Sequence, residues 1–127
     1  MEGIIKKKSV LILDDEPDIC WLLSGFLEKM GFITATAYNL KEGQKMLYAN
    51  SSDIILLDIN LPDGSGLQKL EEFKSISPSS DFIVMSAHAT SIEERIAINS
   101  GASGFISKPI DLLHLNQLIS SLKDKSI

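Results

Sequence analysis

Asp14, Asp15, Asp58, Ser86 and Lys108 are the residues of this sequence whose types could do chemistry together. Each closes or follows a short apolar run: Val10-Leu11-Ile12-Leu13 before the acidic pair, Ile54-Ile55-Leu56-Leu57 before Asp58, Phe82-Ile83-Val84-Met85 before Ser86, and Phe105-Ile106 shortly before Lys108. Carboxylates gathered in one crevice repel each other, so either one takes a proton or a cation joins them. The candidate ligands are all hard oxygens, with no His or Cys clustered among them, which favours Mg2+ or Mn2+ over zinc. Lys108 brings a positive charge to face an incoming anion, and Ser86 brings a hydroxyl donor. Metal and ammonium neutralising charge while a hydroxyl orients an oxygen is the equipment of a phosphoryl site. A carboxylate is also a competent nucleophile toward phosphorus.

Something must carry those groups to one place. The chain alternates β-rich runs with helical periodicity. Ser9–Leu13 reads as a strand buried on both faces. Pro17 suits a first helical turn, and Ile19, Leu22, Leu23, Phe26, Leu27 and Met30 mark one helix face, ended by Gly31. A second strand covers 32–37, and Asn39 caps a helix to about Tyr48 with Leu40, Gly43 and Leu47 inward. The third strand, 53–58, is the best central candidate. Leu61-Pro62-Asp63-Gly64 is turn chemistry, and the next helix turns Leu67, Leu70 and Phe73 to one side. A fourth strand covers 82–86. Ser91 and Glu94 have capping-box spacing and open a helix containing Ile92, Ile96 and Ala97. A short fifth strand covers 103–107, and Asp111 caps a last helix with Leu115, Leu118, Ile119 and Leu122 inward.

Strict strand–helix alternation implies right-handed crossovers and a parallel sheet covered on both faces. The expected fold is α/β: one doubly wound five-stranded parallel sheet of order 2-1-3-4-5, flavodoxin-like, in a single domain over 1–127 with its core at about 9–122. A Rossmann order is the alternative, but the first turn is Asp-Asp-Glu-Pro-Asp and offers no glycine-rich phosphate cradle. In the 2-1-3-4-5 order the strand order reverses between strands one and three, so Asp14, Asp15 and Asp58 should converge there. Taken singly, each residue has a plain structural reading: a helix-terminus carboxylate at Asp15, a polar strand end at Asp58, a turn hydroxyl at Ser86, a solvated amine at Lys108. Those readings weaken jointly, because every central strand contributes and the edge strand, ending near Ala37, does not.

Composition narrows the classes further. The chain has 127 residues, 44% hydrophobic and 23% charged, which suits one packed domain. Its net charge of −5 argues against direct nucleic-acid binding. A lone Cys20 rules out an internal disulfide and fits a reducing compartment. Lys6, Lys7 and Lys8 precede an apolar run too short for a signal peptide and read as a solvated lead-in; no run reaches membrane-spanning length. The expectation is a cytoplasmic protein that makes no membrane contact.

At these residues the chain resembles the receiver domains of two-component response regulators, from about Ser9 to Leu122. Four motifs carry the resemblance: Leu13-Asp14-Asp15-Glu16-Pro17, Leu57-Asp58-Ile59-Asn60-Leu61-Pro62-Asp63-Gly64-Ser65-Gly66, Ser86-Ala87 and Lys108-Pro109. Each is weak alone; in this order, within five alternating units, they are specific. The resemblance implies that Asp58 is the phospho-acceptor, taking a phosphoryl group from a sensor histidine kinase or a histidine phosphotransfer protein. It implies direct metal binding by Asp15, mainly water-mediated binding by Asp14, and completion of the protein ligands by the Asn60 backbone carbonyl. Ser86 would hydrogen-bond the bound phosphoryl group and Lys108 would pair with it. Phe105 matches the switch aromatic, without the hydroxyl of the commoner Tyr. Lys108-Pro109 matches a cis peptide, and Gly66 the glycine ending the loop after the third strand. His88 and Asn60 match positions that tune hydrolysis, although His88 reads equally well as an exposed loop histidine. Output would pass through the fourth helix, fifth strand and last helix, a face that also serves dimerisation. The family catalyses only its own phosphorylation and dephosphorylation, so the chain is not expected to be an enzyme in the wider sense.

Other classes are disfavoured residue by residue. An interaction scaffold that keeps the fold but not phosphorylation would not need the complete set Asp14, Asp15, Asp58, Ser86 and Lys108. A flavin carrier would call for a Ser/Thr/Gly-rich phosphate loop where the acidic pair stands. A phosphatase with an aspartyl intermediate would show Asp-x-Asp spacing after the first strand. His114 reads as a surface residue, Cys20 as a small packed hydrophobe, and Trp21 as a reporter if it lies near the site. No effector domain is expected within the sequence, and Lys123, Asp124, Lys125 and Ser126 read as a frayed tail or the start of a linker.

Overall fold

The structure is a computed structural model that describes residues 8–123, without the side chain of Lys123. Lys6, Lys7 and the tail from Asp124 to Ser126 lie outside the described residues. The main strands are β1 (Ser9–Leu13), β2 (Ile33–Ala37), β3 (Ile54–Asp58), β4 (Asp81–Ser86) and β5 (Gly104–Ser107). The helices are α1 (Pro17–Lys29), α2 (Leu40–Ala49), α3 (Gly66–Ile76), α4 (Ser91–Asn99) and α5 (Leu112–Lys123). The strands form one parallel sheet in the order β2-β1-β3-β4-β5, as expected. Asn60–Leu61 and Gly64–Ser65 add a short antiparallel ladder around the Pro62-Asp63 turn.

Period-two alternation of the strands splits the core into two layers. Leu11, Leu13, Ile55, Leu57, Phe82 and Val84 pack with Leu40, Leu47, Leu70, Phe73 and Ala97 of α2, α3 and α4. Val10, Ile12, Ile54, Leu56, Ile83 and Met85 pack with Cys20, Leu23, Leu27, Leu115 and Ile119 of α1 and α5. Burial on both faces explains why the central strands read as continuous apolar runs.

Local signals hold with a few shifts. Gly31 adopts φ 96°, which a side chain would strain, just past α1. Asn39 accepts from the Glu42 amide and caps α2, and Asp111 accepts from the Leu113 amide at the start of α5. Leu22, expected on the inner face of α1, is 43% exposed, because Cys20, Leu23 and Leu27 take the inward stripe. On α4 only Ala97 is buried, while Ile92 and Ile96 are exposed. The cap of α4 is one residue earlier than the Ser91/Glu94 spacing suggests: Thr90 Oγ1 accepts from the Glu93 amide.

Candidate functional site

All the parallel strands end at the same edge of the sheet, and there stand the polar residues that end β3 and β4 or follow β1 and β5. Asp14 is fully buried just past β1, and its Oδ1 accepts from the Glu16 amide at 2.9 Å. Asp58 ends β3 and is 4% exposed, and its Oδ1 accepts from the Asn60 amide at 3.3 Å. The next turn is held by Gly66, whose amide donates to the Ile59 carbonyl at 2.7 Å. Any Cβ on Gly66 would lie 2.1 Å from the Asp58 carbonyl oxygen, so only glycine permits this approach. Asp63 extends the loop sideways by accepting from the Leu40 and Lys41 amides at the start of α2.

Lys108 leaves the end of β5 with its amide donating to the Ser86 carbonyl at 2.8 Å, and its peptide bond to Pro109 is cis, as the resemblance implies. Its Nζ lies 2.7 Å from Asp14 Oδ2, 3.0 Å from Asp58 Oδ2 and 3.0 Å from Glu16 Oε1. Contact with Asp14 Oδ2 is an ion pair off the line of a hydrogen bond, which leaves that buried oxygen without a hydrogen-bond partner. Burial and then the neighbouring Asp14 charge push the Asp58 carboxyl above its ordinary range, against the pull of Lys108. Burial would lower the Lys108 ammonium, but the close carboxylates of Asp14, Asp58 and Glu16 outweigh it and hold the group well above its usual value. Lys108 is therefore charged throughout the physiological range. Burial, followed by the Asp14 charge, pushes the Cys20 thiol up to about 11; its Sγ donates to the Asp14 carbonyl.

One carboxylate oxygen from each of Asp14, Asp15, Glu16 and Asp58 lies within 4.8 Å of the others. A dense set of hard oxygens with one buried, hydrogen-bond-free oxygen fits a divalent cation. Asp15 and Asn60 are exposed at the rim, which leaves positions for water or phosphate oxygens.

The structure thus brings together Asp14, Asp15, Asp58, Asn60 and Lys108. Ser86 stands on the neighbouring strand end, fully buried, but its hydroxyl donates to Glu93 Oε1 at 2.7 Å and accepts from the amides of His88 and Ala89. Phe105 is half-buried and packs on the layer beneath α2, α3 and α4. His88 and His114 are exposed. Trp21 is 80% exposed and shares a groove with Pro17, Asp18, Cys20, Ser24, Thr36 and Tyr38 rather than with the carboxylates. Sequence reasoning missed Glu16 and Glu93. Glu16 occupies the N-cap of α1 yet makes no side-chain cap, because its carboxylate goes to Lys108. The Asp-Asp-Glu run was the only signal for it.

The response regulator receiver domain family matches residues 10–120. The chain belongs to this family. It is 34% identical over 117 residues to the response regulator protein PilR of Pseudomonas aeruginosa, covering 92% of this chain and 26% of that protein. A two-component response regulator from Clostridium difficile superimposes with a TM-score of 0.90 at 28% identity, over 95% of this chain and all of the other. The beryllofluoride-activated NtrC4 receiver domain dimer gives a TM-score of 0.85 at 33% identity, over 93% of this chain and 98% of that one. This receiver domain therefore spans about a quarter of the length of PilR. It is a signalling domain of the two-component response-regulator class, and an interaction scaffold indifferent to phosphorylation is not favoured. No helix among the described residues is long and apolar enough to cross a membrane.

Proposed function

We propose that Asp58 accepts a phosphoryl group from a phosphohistidine on a sensor histidine kinase or a histidine phosphotransfer protein. The observation that carries this reading is the buried carboxylate of Asp58 held 3.0 Å from the Lys108 ammonium beside Asp14 in a chain of this family. A carboxylate oxygen of Asp58 attacks phosphorus in line; the P–N bond breaks and its electron pair returns to the donor imidazole. Lys108 faces the charge that develops on the phosphoryl oxygens and pairs with it in the product. Asp14, Asp15, Asp58 and the Asn60 carbonyl would hold Mg2+, or Mn2+, which neutralises phosphoryl oxygens when bound. Ser86 donates its hydroxyl to the acyl phosphate.

Hydrolysis returns Asp58 to its starting state, and His88, exposed two residues beyond Ser86, stands where it could tune that rate. Movement of Ser86 opens room for Phe105, and α4, β5 and α5 carry the change to a partner. Exposed Ile92 and Ile96 on α4 and Leu113 on α5 supply apolar surface there for dimerisation or an effector. A single domain in the cytoplasm, acting only on its own Asp58, completes the reading.

The test is intact-protein mass after incubation with acetyl phosphate and Mg2+. Wild type should gain one phosphoryl group and the Asp58→Asn variant none. Equal gain by both would overturn Asp58 as acceptor.

A further inference from the structure

Thr90 and Glu93 have the spacing of a capping box, in which the glutamate carboxylate returns to the N-cap amide. Half of that box is made: Thr90 Oγ1 accepts from the Glu93 amide at 3.1 Å. The other half is not what Glu93 does. Its carboxylate instead accepts the Ser86 hydroxyl at 2.7 Å, across seven residues of chain. Ser86 shares the strand parity of Phe82 and Val84, the side on which α4 packs, so this direction is natural for it.

The bond leaves Ser86 with no spare capacity. A serine hydroxyl has one proton to give and two lone pairs. The proton goes to Glu93, and the lone pairs take the amides of His88 and Ala89, each at 3.1 Å. Ala89 adopts φ 46°, a left-handed conformation unfavourable for a residue with a side chain. The loop between β4 and α4 is thus curled onto Ser86, and the first turn of α4 is tied to the same oxygen.

We infer that Glu93 is a positioning residue that retains the Ser86 hydroxyl, so that a phosphoryl group on Asp58 must win this hydroxyl from Glu93 and thereby frees the first turn of α4. The inference rests on the role proposed above for Ser86. Two acceptors compete for one proton, and the phosphoryl group shifts the population only by its advantage over the carboxylate. Glu93 then sets how readily this domain switches, and it links the reaction at Asp58 to α4 without any need for the aromatic hydroxyl that Phe105 lacks.

The probe is beryllofluoride with Mg2+, titrated calorimetrically into the full chain. Glu93→Ala should bind it about tenfold more tightly than wild type, since a charge-assisted bond no longer has to be broken. Glu93→Gln, which keeps a neutral acceptor, should fall between them. In a Ser86→Ala background the same Glu93→Ala change should have no effect, a coupling that a merely structural role would not produce. Glu94→Gln, which removes a charge from the same helical turn, should leave affinity unchanged and so separates the bond from the helix dipole. Unchanged or weaker binding by Glu93→Ala, or an equal effect with and without Ser86, would overturn the inference while the proposed function stands. Failure of wild type to bind beryllofluoride, or equal binding by Asp58→Asn, would overturn both.

Discussion

Lys108→Met removes the ammonium that three carboxylates share, and the cost follows from their burial. The Glu16 side chain is 59% exposed, so that pair contributes at most about 1 kcal/mol. Asp14 and Asp58 are different, with side chains 0% and 6% exposed around an ammonium that is itself 12% exposed. Removing one partner of such a buried pair costs about 3–5 kcal/mol. Protonation sets a ceiling, because Asp58 can escape by taking a proton. At pH 7, neutralising a carboxyl of ordinary pKa 3.8 costs about 4 kcal/mol, at about 1.36 kcal/mol per pH unit. The expected loss is therefore about 3–4 kcal/mol at pH 7 in EDTA, falling to about 1.6 kcal/mol at pH 5 as the ceiling drops. Mg2+ should restore more stability to the variant than to wild type, since Lys108 no longer competes for Asp14 and Asp58. Urea unfolding at the two pH values, with and without Mg2+, measures all of this. A loss under about 1 kcal/mol at pH 7, or one that does not shrink at pH 5, would refute the electrostatic reasoning.

Asp58→Asn should make the protein more stable than wild type at pH 7 in EDTA. Because the folded-state pKa is raised, the contribution of Asp58 to stability is full below 3.8 and is lost as pH rises through the raised value, so the two urea midpoints should converge in acid. Cys20, buried with its thiol pushed up to about 11, should resist iodoacetamide at pH 8 in the native protein and react once urea unfolds it. Gly66→Ala drives a Cβ onto the Asp58 carbonyl, and should cost about 1–3 kcal/mol in urea unfolding and abolish labelling by acetyl phosphate.

The sheet was legible because its central strands are buried on both faces. Ile54–Leu57 can only be an interior strand in a chain that alternates strand and helix this regularly, and its polar terminus fixes where Asp58 emerges. The convergence of Asp14, Asp15 and Asp58 followed from strand order, whereas Lys108, two strands away from Asp58, was placed beside them only by the resemblance. Three features were hidden for physical reasons. Thr90-Ser91 offers two hydroxyls, with Glu93 and Glu94 at the matching spacings, so the cap of α4 is ambiguous by one residue until packing selects Ala97 as the inward position. Leu22, Ile92 and Ile96 fit a helical stripe, but a helix on this sheet buries only a narrow part of it. Glu16 and Glu93 each stand where a helix would use them locally, and each instead reaches a partner distant in sequence, Lys108 and Ser86. Conflict between a local rule and the fold at both ends of the same site is expected where function imposes its own requirements.

The central claim is that phosphoryl transfer occurs at Asp58. Borohydride reduction of the acetyl phosphate-treated protein converts an aspartyl phosphate to homoserine, which peptide sequencing locates. The account predicts homoserine at position 58 of the wild type, dependent on Mg2+, and none elsewhere in the chain. Homoserine at position 14 or 15, or at any other carboxylate with Asp58 intact, would contradict it.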